Sequence, residues 1–414
     1  MQEIRKTSYM KTLMIVGAGK SQVPLIQAAK KEKYHTVVCD IDVNAPGVAL
    51  ADEYYKVSTK DRFALFEVAK RRRIDGIVAN SEYAMCDIAF IANSFGLVGN
   101  PERSISILSS KSEFRKLQRK AGLFAPNYLY GDSIEKWNDK SFNFPVVIKP
   151  DQSSGTRGTV IVRASDDYNL IKSSVFECSK ISRNGKAIAE EYVPGSICTT
   201  IEGEIFIHKG KILWDGLFLT IRSKMAAMIP MTYVFPLHEE EERIIKLKEA
   251  LSKAFCTANI VHGEYNIEMY FTDNDEPFII EINPRQGGNE LPKYVMQHCG
   301  IDYHRLLVTT SVGDDDYWNS LENNKRKTSF ITHHMLYPRT KGVFKGLQID
   351  DSLRNCIYNT QIDLNYGDEV NNTVDGSSCV GCVDLLFSNV EEQGQISSDL
   401  EKLIKIEIEQ GQTL

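Results

Sequence analysis

Residues 263–288 read GEYNIEMYFTDNDEPFIIEINPRQGG and contain two apolar stretches separated by a short polar segment. The first stretch carries Glu268 and the second carries Glu281. The polar segment TDND is typical of a turn, so the pattern predicts two strands that form a hairpin. Because side chains alternate along a strand, we expect Glu281, Asn283 and Arg285 to lie on one face.

These polar side chains are of the types that bind a metal ion. Glu268, Glu281 and Asn283 offer hard oxygen ligands of the kind that Mg²⁺, and also Mn²⁺, prefers. The planar cation of Arg285 suits carboxylate or phosphate oxygens. Either glutamate alone could be an ordinary solvated carboxylate of a hairpin. The second glutamate and the EINPRQGG segment together argue against that interpretation.

Two further segments carry candidate nucleotide-binding residues. Residues 144–160, FPVVIKPDQSSGTRGTV, predict a strand that ends at Lys149 and a loop of small residues. Glycines let backbone N–H groups approach phosphate oxygens, and the lysine adds a positive charge. An ordinary flexible turn has the same appearance. Residues 187–195, AIAEEYVPG, predict a strand end whose free backbone groups could bond an adenine edge, which is a weak signal by itself.

Composition excludes several classes of protein. The chain has 414 residues, 49 basic and 55 acidic, so its net charge is −6 and nonspecific binding to nucleic acid or membrane is not expected. A hydrophobic fraction of 42% is ordinary for a globular protein, and the length suggests about two to three domains. No apolar run suits a membrane span and no apolar signal core begins the chain. Nine scattered cysteines favour reduced thiols, so we expect a cytoplasmic protein.

The order of predicted elements gives the fold class. Strands alternate with helices over the first hundred residues, which predicts an α/β unit with a parallel sheet. The middle third predicts an α+β unit with antiparallel hairpins, including strands at 199–208 and 211–220 and a helix at 239–255. The polar segment 313–327 predicts a domain boundary.

In these motifs the chain resembles the ATP-grasp superfamily of ADP-forming ligases, over nearly its whole length. Its layout is similar to that of carboxylate–amine ligases, the carbamoyl-phosphate synthetase large chain, biotin carboxylase, glycinamide ribonucleotide synthetase and amino-acid ligases. The resemblance implies an ATP-grasp fold with a Rossmann-like pre-ATP-grasp domain and a small β-rich C-terminal lobe. The implied parts are an N-terminal extension at 1–9, a pre-ATP-grasp domain at 10–105, an ATP-grasp domain at 106–320 with a mobile lid lobe at about 123–193, and a C-terminal lobe at 321–414.

The resemblance also implies two cofactors, ATP and Mg²⁺, and a role for each motif residue. Glu268, Glu281 and Asn283 match the metal ligands, while Arg285 and Asn283 match catalytic positions at the reacting groups. Lys111 would bind phosphate, although a surface helix lysine is an equal alternative from the sequence. The residues implied in binding ATP are Lys111, Lys149, Ser154, Gly155, Thr156, Gly158, Glu190, Glu191 and Val193.

The implied reaction activates a substrate carboxylate as an acylphosphate, which an amine then opens. The expected partners are a small-molecule carboxylate and a small-molecule amine, with no nucleic acid and no membrane, and a homodimer is suggested by analogy. One alternative is a purine-biosynthesis type of ligase, similar to phosphoribosylamine–glycine ligase. Another is an inactive ATP-binding regulatory protein, against which the intact metal and phosphate residues argue.

The ribose ligand and the substrate-binding residues stay open, and three other segments do not match the motifs that they resemble. The glutamate that many members of the superfamily place near the ribose is replaced here by Ile197 and Cys198, and Glu202 is a candidate substitute. Candidate substrate-binding residues that could equally be solvated lie at Arg222 and Lys224; others lie in residues 80–82 and 289–292. GAGKS at 17–21 lacks the glycines of a P-loop or a dinucleotide site and predicts a tight turn. The pair Cys379 and Cys382, and the pair His333 and His334, predict no metal site.

Overall fold

The computed structural model describes residues 10–131, 143–153, 157–163, 168–223, 229–322, 326–373 and 376–410. Its first elements are β1 (Thr12–Val16), α1 (Val23–Lys31), β2 (His35–Asp40), β3 (Glu53–Lys56), α2 (Arg62–Arg72), β4 (Gly76–Val78), α3 (Met85–Phe95), α4 (Glu102–Leu108) and α5 (Lys111–Lys120). The four strands form a parallel sheet in the order β3-β2-β1-β4, as predicted. The GAGKS segment is a tight turn after β1, in which Gly17 has a φ of 102° and Ala18 N–H donates to Asp40 Oδ2 at 2.7 Å.

A small antiparallel sheet follows the parallel sheet in the chain. Its elements are β5 (Tyr128–Gly131), β6 (Val146–Pro150), β7 (Val160–Val162), α6 (Tyr168–Ile181) and β8 (Ala187–Glu191). The strands lie in the order β5-β8-β6-β7, and the predicted hairpin of β6 and β7 is confirmed. Helix α6 packs against β6 and β8 and buries a small apolar cluster there.

The large sheet begins with the next segment. Its elements are β9 (Thr199–His208), β10 (Lys211–Leu213), β11 (Leu217–Arg222), β12 (Pro230–Phe235), α7 (Glu241–Thr257), β13 (His262–Phe271), β14 (Pro277–Asn283), α8 (Leu291–Cys299), α9 (Tyr303–Ser311) and α10 (Asp316–Ser320). The strands pair antiparallel in the order β14-β13-β9-β11-β12, with β10 beside the end of β9. The hairpin predicted from residues 263–288 is therefore confirmed.

One predicted strand is wrong. Residues 211–220 form two strands, β10 and β11, with a break at residues 214–216. The backbone of Gly216 packs so closely on Glu204 that a Cβ at this position would overlap the Glu204 carbonyl oxygen. The Gly216 carbonyl accepts from Glu204 N–H at 3.0 Å, which redirects the chain between the two strands.

The last part of the chain extends the large sheet. Its elements are β15 (Phe330–Met335), β16 (Gly342–Ile349), β17 (Ile357–Ile362), β18 (Glu369–Val370), β19 (Gly381–Phe387), α11 (Val390–Ser397), α12 (Leu400–Leu403) and β20 (Ile404–Glu409). β15 pairs with β12, and β19 and β17 follow it, so one sheet crosses the boundary that the sequence predicts between residues 320 and 321. β18, β16 and β20 form a separate three-stranded sheet.

Two large apolar clusters pack against the large sheet. Helix α9 packs against strand β4 of the first sheet and against helix α1. One buried apolar cluster therefore joins the first sheet to the large sheet. A second cluster lies between α7 and the strands β9, β13 and β14. Among the described residues, no helix combines the length and apolar character needed to cross a membrane.

Candidate active site

A cleft of about 700 Å³ lies between the small sheet and the end of the large sheet formed by β13 and β14. Three predicted ATP-binding residues, Ser154, Gly155 and Thr156, lie outside the described residues. Asn283 and Arg285 lie beside the cleft, and Arg285 lines a neighbouring small cavity. The predicted site residues that line the cleft are Lys111, Lys149, Gly158, Glu190, Glu191, Val193, Glu268 and Glu281.

Three carboxylates form a row across neighbouring strands at one end of the cleft. Glu281 on β14 is in register with Glu268 on β13, and Glu268 is in register with Glu202 on β9. Asn283 Nδ2 donates to Glu281 Oε1 at 2.9 Å. Strands about 4.8 Å apart bring such carboxyl groups within reach of one ion. Glu268, Glu281 and Asn283 together form a hard oxygen donor set that fits Mg²⁺.

Two basic side chains contact this carboxylate row. Lys111 Nζ lies 3.3 Å from Glu281 Oε2, and Arg222 Nη2 lies 2.5 Å from Glu268 Oε1. Burial alone would raise the pKa of Glu281, but Lys111 and the other nearby donors outweigh it and lower the pKa to about 2. Burial and the charge of Glu281 raise the pKa of Glu268 in spite of Arg222. Lys111 and Arg222 therefore balance part of the negative charge of this buried row.

Lys149 and Arg115 share one buried carboxylate, that of Glu190. Lys149 Nζ lies 2.5 Å from Glu190 Oε2, and Arg115 Nε donates to Glu190 Oε1 at 2.7 Å. Burial favours a higher pKa for Glu190, yet Arg115 and Lys149 prevail and lower it to about 2. The Glu190 carboxylate is thus already paired with Arg115 and Lys149. This pairing fixes Lys149 at the wall of the cleft.

Lys111 is the first residue of α5, and a buried aspartate holds that end of the helix. Asp151 Oδ1 accepts from Ser112 N–H at 2.7 Å, and Asp151 Oδ2 accepts from the Ser110 hydroxyl at 2.8 Å. Lys111 Nζ donates to Ser153 O at 3.1 Å. Lys111 therefore lies between the carboxylate row and the start of the predicted phosphate loop.

The residues considered for the ribose and the substrate have separate positions. Ile197 lines the cleft, whereas Glu202 lies next to Glu268 and accepts from Arg222 at 3.0 Å, which does not support Glu202 as the ribose ligand. Arg222 is buried, so the alternative of a solvated charge on a strand is wrong for this residue. Lys224 lies outside the described residues.

Arg285 connects the large sheet to the first sheet domain. Its Nη2 atom lies 3.6 Å from Glu82 Oε2, and Glu82 belongs to the candidate segment 80–82. Arg183, which follows α6, donates to Glu82 Oε1 at 3.1 Å. In the other candidate segment, Asn289 Nδ2 donates to the Tyr233 hydroxyl at 2.7 Å. Glu82 therefore links both arginines, while Asn289 bonds within the large-sheet region.

The histidine and cysteine motifs lie together in the structure, which the sequence did not indicate. His333 and Cys382 do have a third partner of a metal-binding type, Asp384, and their ligand atoms lie within 4.8 Å of one another. His333 Nδ1 lies 2.6 Å from Asp384 Oδ1, while the Tyr294 hydroxyl and Asn359 Nδ2 also donate to Asp384. These internal hydrogen bonds already satisfy the carboxylate.

Arg115 is a supporting residue of the site that the sequence analysis missed. It is fully buried and donates to the carbonyl oxygens of Ile279 and Ile280 as well as to Glu190. Its position four residues after Lys111 puts both side chains on one face of α5. This spacing was the signal in the sequence that could have identified Arg115.

The comparisons with known proteins identify the class. The family model of the ATP-grasp domain matches residues 142–292, which include β6, β8 and the β13–β14 hairpin. The fold is similar to that of L-amino acid ligase from Bacillus licheniformis, with a TM-score of 0.77, 17% identity, and coverage of 97% of this chain and 100% of that one. Residues 142–292 therefore match the ATP-grasp domain, and the predicted resemblance and fold class are confirmed.

Curated relatives of this chain are enzymes. Formate-dependent phosphoribosylglycinamide formyltransferase from Methanocaldococcus jannaschii is 24% identical over 290 residues, which is 66% of this chain and 69% of that protein. The same-named protein of Bacteroides thetaiotaomicron is 26% identical over 162 residues, and the chain spans only 42% of its length. The fold also matches the biotin carboxylase domain of 2-oxoglutarate carboxylase from Hydrogenobacter thermophilus, solved with MgADP and bicarbonate (TM-score 0.68, 16% identity, 96% and 91% coverage). The prediction of a ligase-type ATP-grasp enzyme agrees with these relatives.

Proposed function

We propose that this chain is an ATP-dependent, ADP-forming ligase that activates a substrate carboxylate as an acylphosphate and joins it to an amine. The observation that carries the proposal is the meeting of the Glu268–Glu281 pair with Lys111 and Lys149 in one cleft. A volume of about 700 Å³ is within the range of small-molecule sites. Lysines beside an oxygen-rich metal site suit a nucleoside triphosphate.

In this proposal ATP lies along the cleft. Lys149 and Lys111 bind phosphate oxygens, and the sequence motif at residues 153–158 is the proposed phosphate-binding segment. The adenine contacts the backbone at Glu191 and Val193, where the Tyr270 hydroxyl donates to Val193 O at 2.7 Å and fixes the chain. The two lysines and the carboxylate row then lie at the triphosphate end.

Glu268, Glu281 and Asn283 would hold Mg²⁺, and the ion would supply positive charge that offsets the charge of the phosphates. Arg285 offers its guanidinium to the substrate carboxylate, and Asn283 holds the reacting groups close to it. A carboxylate oxygen attacks the γ-phosphorus as the bond to ADP breaks, and the amine then attacks the acyl carbon as phosphate leaves. Positioning and charge neutralisation supply the catalysis.

The metal and nucleotide site is tested with Glu281→Gln, which removes one charge and keeps the shape. We expect the affinity for MgATP, measured by calorimetry, to fall about tenfold or more. Glu242→Gln is the matched control, since that side chain is 79% exposed on α7 and should leave binding unchanged. Equal MgATP affinity for the wild type and Glu281→Gln would contradict the assignment.

The substrates are tested by measuring ADP release from MgATP with paired carboxylates and amines. Purine-type ligation is the second candidate, because curated relatives are named as phosphoribosylglycinamide formyltransferases. Formate with phosphoribosylglycinamide is therefore one pair, and L-amino acid pairs are another. ATP binding without ADP release for any pair would favour the alternative of a regulatory protein.

The domain boundaries, the lid lobe at about 123–193 and the homodimer also belong to the proposal. Light scattering on the full-length chain measures the molar mass in solution and so tests the homodimer. A mass of 46.8 kDa would indicate a monomer.

A further inference from the structure

Glu82 is a carboxylate of the first sheet domain that pairs with cations from two other parts of the fold. It lies four residues after β4 and is 9% exposed. It forms ion pairs with Arg183, which follows α6 beside the small sheet, and with Arg285, which follows β14 of the large sheet. A buried carboxylate needs compensating positive charge, so Glu82 and its two arginines depend on one another.

Arg183 holds Glu82 through three contacts. Its Nη1 atom donates to the Glu82 backbone carbonyl at 3.1 Å, and its Nη2 atom donates to Glu82 Oε1 at 3.1 Å. The centre of its guanidinium lies 5.1 Å from the centre of the Tyr83 ring. Hydrogen bonds from the planar fork and a contact with a ring fix the direction of a guanidinium. Arg183 therefore fixes the Glu82 carboxylate and balances its charge.

The backbone of Arg183 is tied to the segment that follows Lys149. Arg183 N–H donates to the Gln152 carbonyl at 3.1 Å, and Gln152 N–H donates to the Ser182 hydroxyl at 3.0 Å. Gln152 comes directly after Asp151 at the end of β6, which is the strand of Lys149. Arg183 is thus a fixed part of the small-sheet region that we propose to bind the nucleotide phosphates.

Arg285 makes a looser contact with the other oxygen of Glu82. Its Nη2 atom lies 3.6 Å from Glu82 Oε2, which is longer than a hydrogen bond. No hydrogen bond from any described residue reaches that oxygen. The other terminal nitrogen, Nη1, donates to the Gln286 carbonyl at 2.7 Å. Glu82 therefore orients Arg285 by charge, and Nη2 can still donate to a substrate carboxylate.

Two carboxylates compete for Arg285 in the proposed reaction, that of Glu82 and that of the substrate. The charge of Glu82 acts within the cleft: burial lowers the pKa of Lys111, but Glu281 and Glu82 outweigh it and raise this pKa. Without Arg183, the negative charge of Glu82 would be balanced less completely. Glu82 would then pair closely with Arg285 and repel an incoming carboxylate.

We propose that Arg183 is a positioning residue for the binding of the substrate carboxylate. By pairing with Glu82, it keeps Glu82 from closing on Arg285 and leaves Arg285 to the substrate. The inference rests on the proposed ligase function and gives the small-sheet region a part in binding the carboxylate as well as ATP. Loss of Arg183 should therefore weaken carboxylate binding, and removal of the Glu82 charge should restore it.

The test uses sodium formate, the smallest carboxylate, as the probe. Crystals of the full-length chain soaked at increasing formate concentrations should show formate bound to Arg285, and its occupancy gives the concentration at half saturation. That concentration should be at least tenfold higher in Arg183→Gln, where Arg285 Nη2 should move to within hydrogen-bond distance of Glu82 Oε2. In the double variant with Arg183→Gln and Glu82→Gln it should return to within threefold of the wild type, because a neutral amide competes poorly for Arg285.

Two companion variants separate this role from a general effect of charge. Arg183→Lys keeps the charge but not the planar fork, so its formate binding should lie between those of the wild type and Arg183→Gln. Lys180 lies on α6 three residues before Arg183, is 55% exposed and pairs with Glu177. Lys180→Gln should therefore bind formate like the wild type.

Three results would each overturn the proposal. They are equal formate binding by the wild type and Arg183→Gln, no formate at Arg285 in the wild type, and a double variant that binds as weakly as Arg183→Gln. The last result would show that Arg183 acts through the fold and not through the charge of Glu82. If Arg183→Gln does not fold, Arg183→Lys with and without Glu82→Gln decides the question.

A kinetic readout separates this inference from the ligase proposal. With an active substrate pair, Arg183→Gln should raise KM for the carboxylate at least tenfold and leave KM for MgATP within twofold. If no pair releases ADP but formate binding follows the expected pattern, the ligase proposal fails and the positioning role stands. If ADP is released and KM for the carboxylate does not change, the ligase proposal stands and this inference fails.

Discussion

Gly287 and Gly288 are neighbours in the EINPRQGG segment, but their surroundings differ. A Cβ on Gly287 would overlap Glu204 Oε1 and crowd Asn266 Nδ2, whereas a Cβ on Gly288 meets no atom within 4 Å. Neither residue has a positive φ, so backbone strain does not enter the comparison. The close approach lets Gly287 N–H donate to the buried Glu204 carboxylate.

We therefore predict opposite results for two alanine variants. Gly287→Ala should lower the free energy of unfolding by about 1–3 kcal/mol, because the Glu204 side chain is confined and cannot move away. Gly288→Ala should stay within about 0.5 kcal/mol of the wild type. Urea unfolding followed by fluorescence measures both. Equal stability of the two variants would show that the contact with Glu204 is not confining.

Among individual residues, the sequence identified those that belong to motifs and missed those that support them. Glu268, Glu281 and Lys149 stand in recognisable strand motifs, and each lines the cleft. Arg115 stands in an ordinary helix, and its role depends on Glu190, which is 75 residues away in the chain. A single sequence carries no pairing information for residues this far apart, so the ion pair could not be predicted.

Among the helices and strands, α5 is held at its N-terminal end by a residue that lies outside the helix. Asp151 follows β6 and accepts hydrogen bonds from Ser112 N–H, the Ser110 hydroxyl and Asn184 Nδ2. It therefore anchors the helix end that carries Lys111 to the small sheet. An aspartate at such a position acts on the helix in the same way as an N-cap residue.

We predict that Asp151→Ala lowers the free energy of unfolding by about 3 kcal/mol, since it leaves buried donors without partners. It should also weaken nucleotide binding, because Lys111 loses its fixed position. Asp61→Ala is the control: Asp61 caps α2 by accepting from Ala64 N–H at 3.0 Å. That variant should cost about 1 kcal/mol and leave nucleotide affinity unchanged. Calorimetry with ATP and chemical unfolding measure both effects. A normal nucleotide affinity for Asp151→Ala would contradict the anchoring role.

Elements with a clear period or turn were predicted well, and elements shaped by close packing were not. The β13–β14 hairpin follows from two apolar strands around TDND. The break between β10 and β11 follows from the close approach of Gly216 to the Glu204 backbone. No local sequence pattern predicts that contact. The position of β15 beside β12 is likewise long-range, because about 95 residues separate the two strands along the chain.

For the whole molecule, buried histidines make stability depend on pH. Burial is the main cause that lowers the pKa of His262 to about 3 and that of His334 to about 3. In the unfolded chain both titrate near 6.5. The folded pKa is the lower one, so the stabilisation is complete above about pH 6.5 and is lost as the pH falls toward 3.

We predict that His262 and His334 each lower the free energy of unfolding as the pH falls from 7 to 5, while buried carboxyl groups with a raised pKa, such as Glu202 and Glu268, act in the opposite direction. Each such histidine contributes a slope of up to about 1.4 kcal/mol per pH unit. His334→Asn keeps a polar group near Thr232, to which His334 bonds at 2.8 Å, and should make the decrease shallower. Urea unfolding at several pH values measures the slope. An identical slope for His334→Asn and the wild type would exclude His334 as a source.

The continuity of the large sheet limits how the protein can be divided. A fragment that ends at residue 320 would lose β15 and leave β12 as an edge strand with its backbone N–H and C=O groups free. An exposed, flat, apolar edge of this kind recruits strands from other molecules. Such a fragment should self-associate even though it keeps the cleft residues. By pairing with β12, β15 therefore protects the protein against aggregation through this edge.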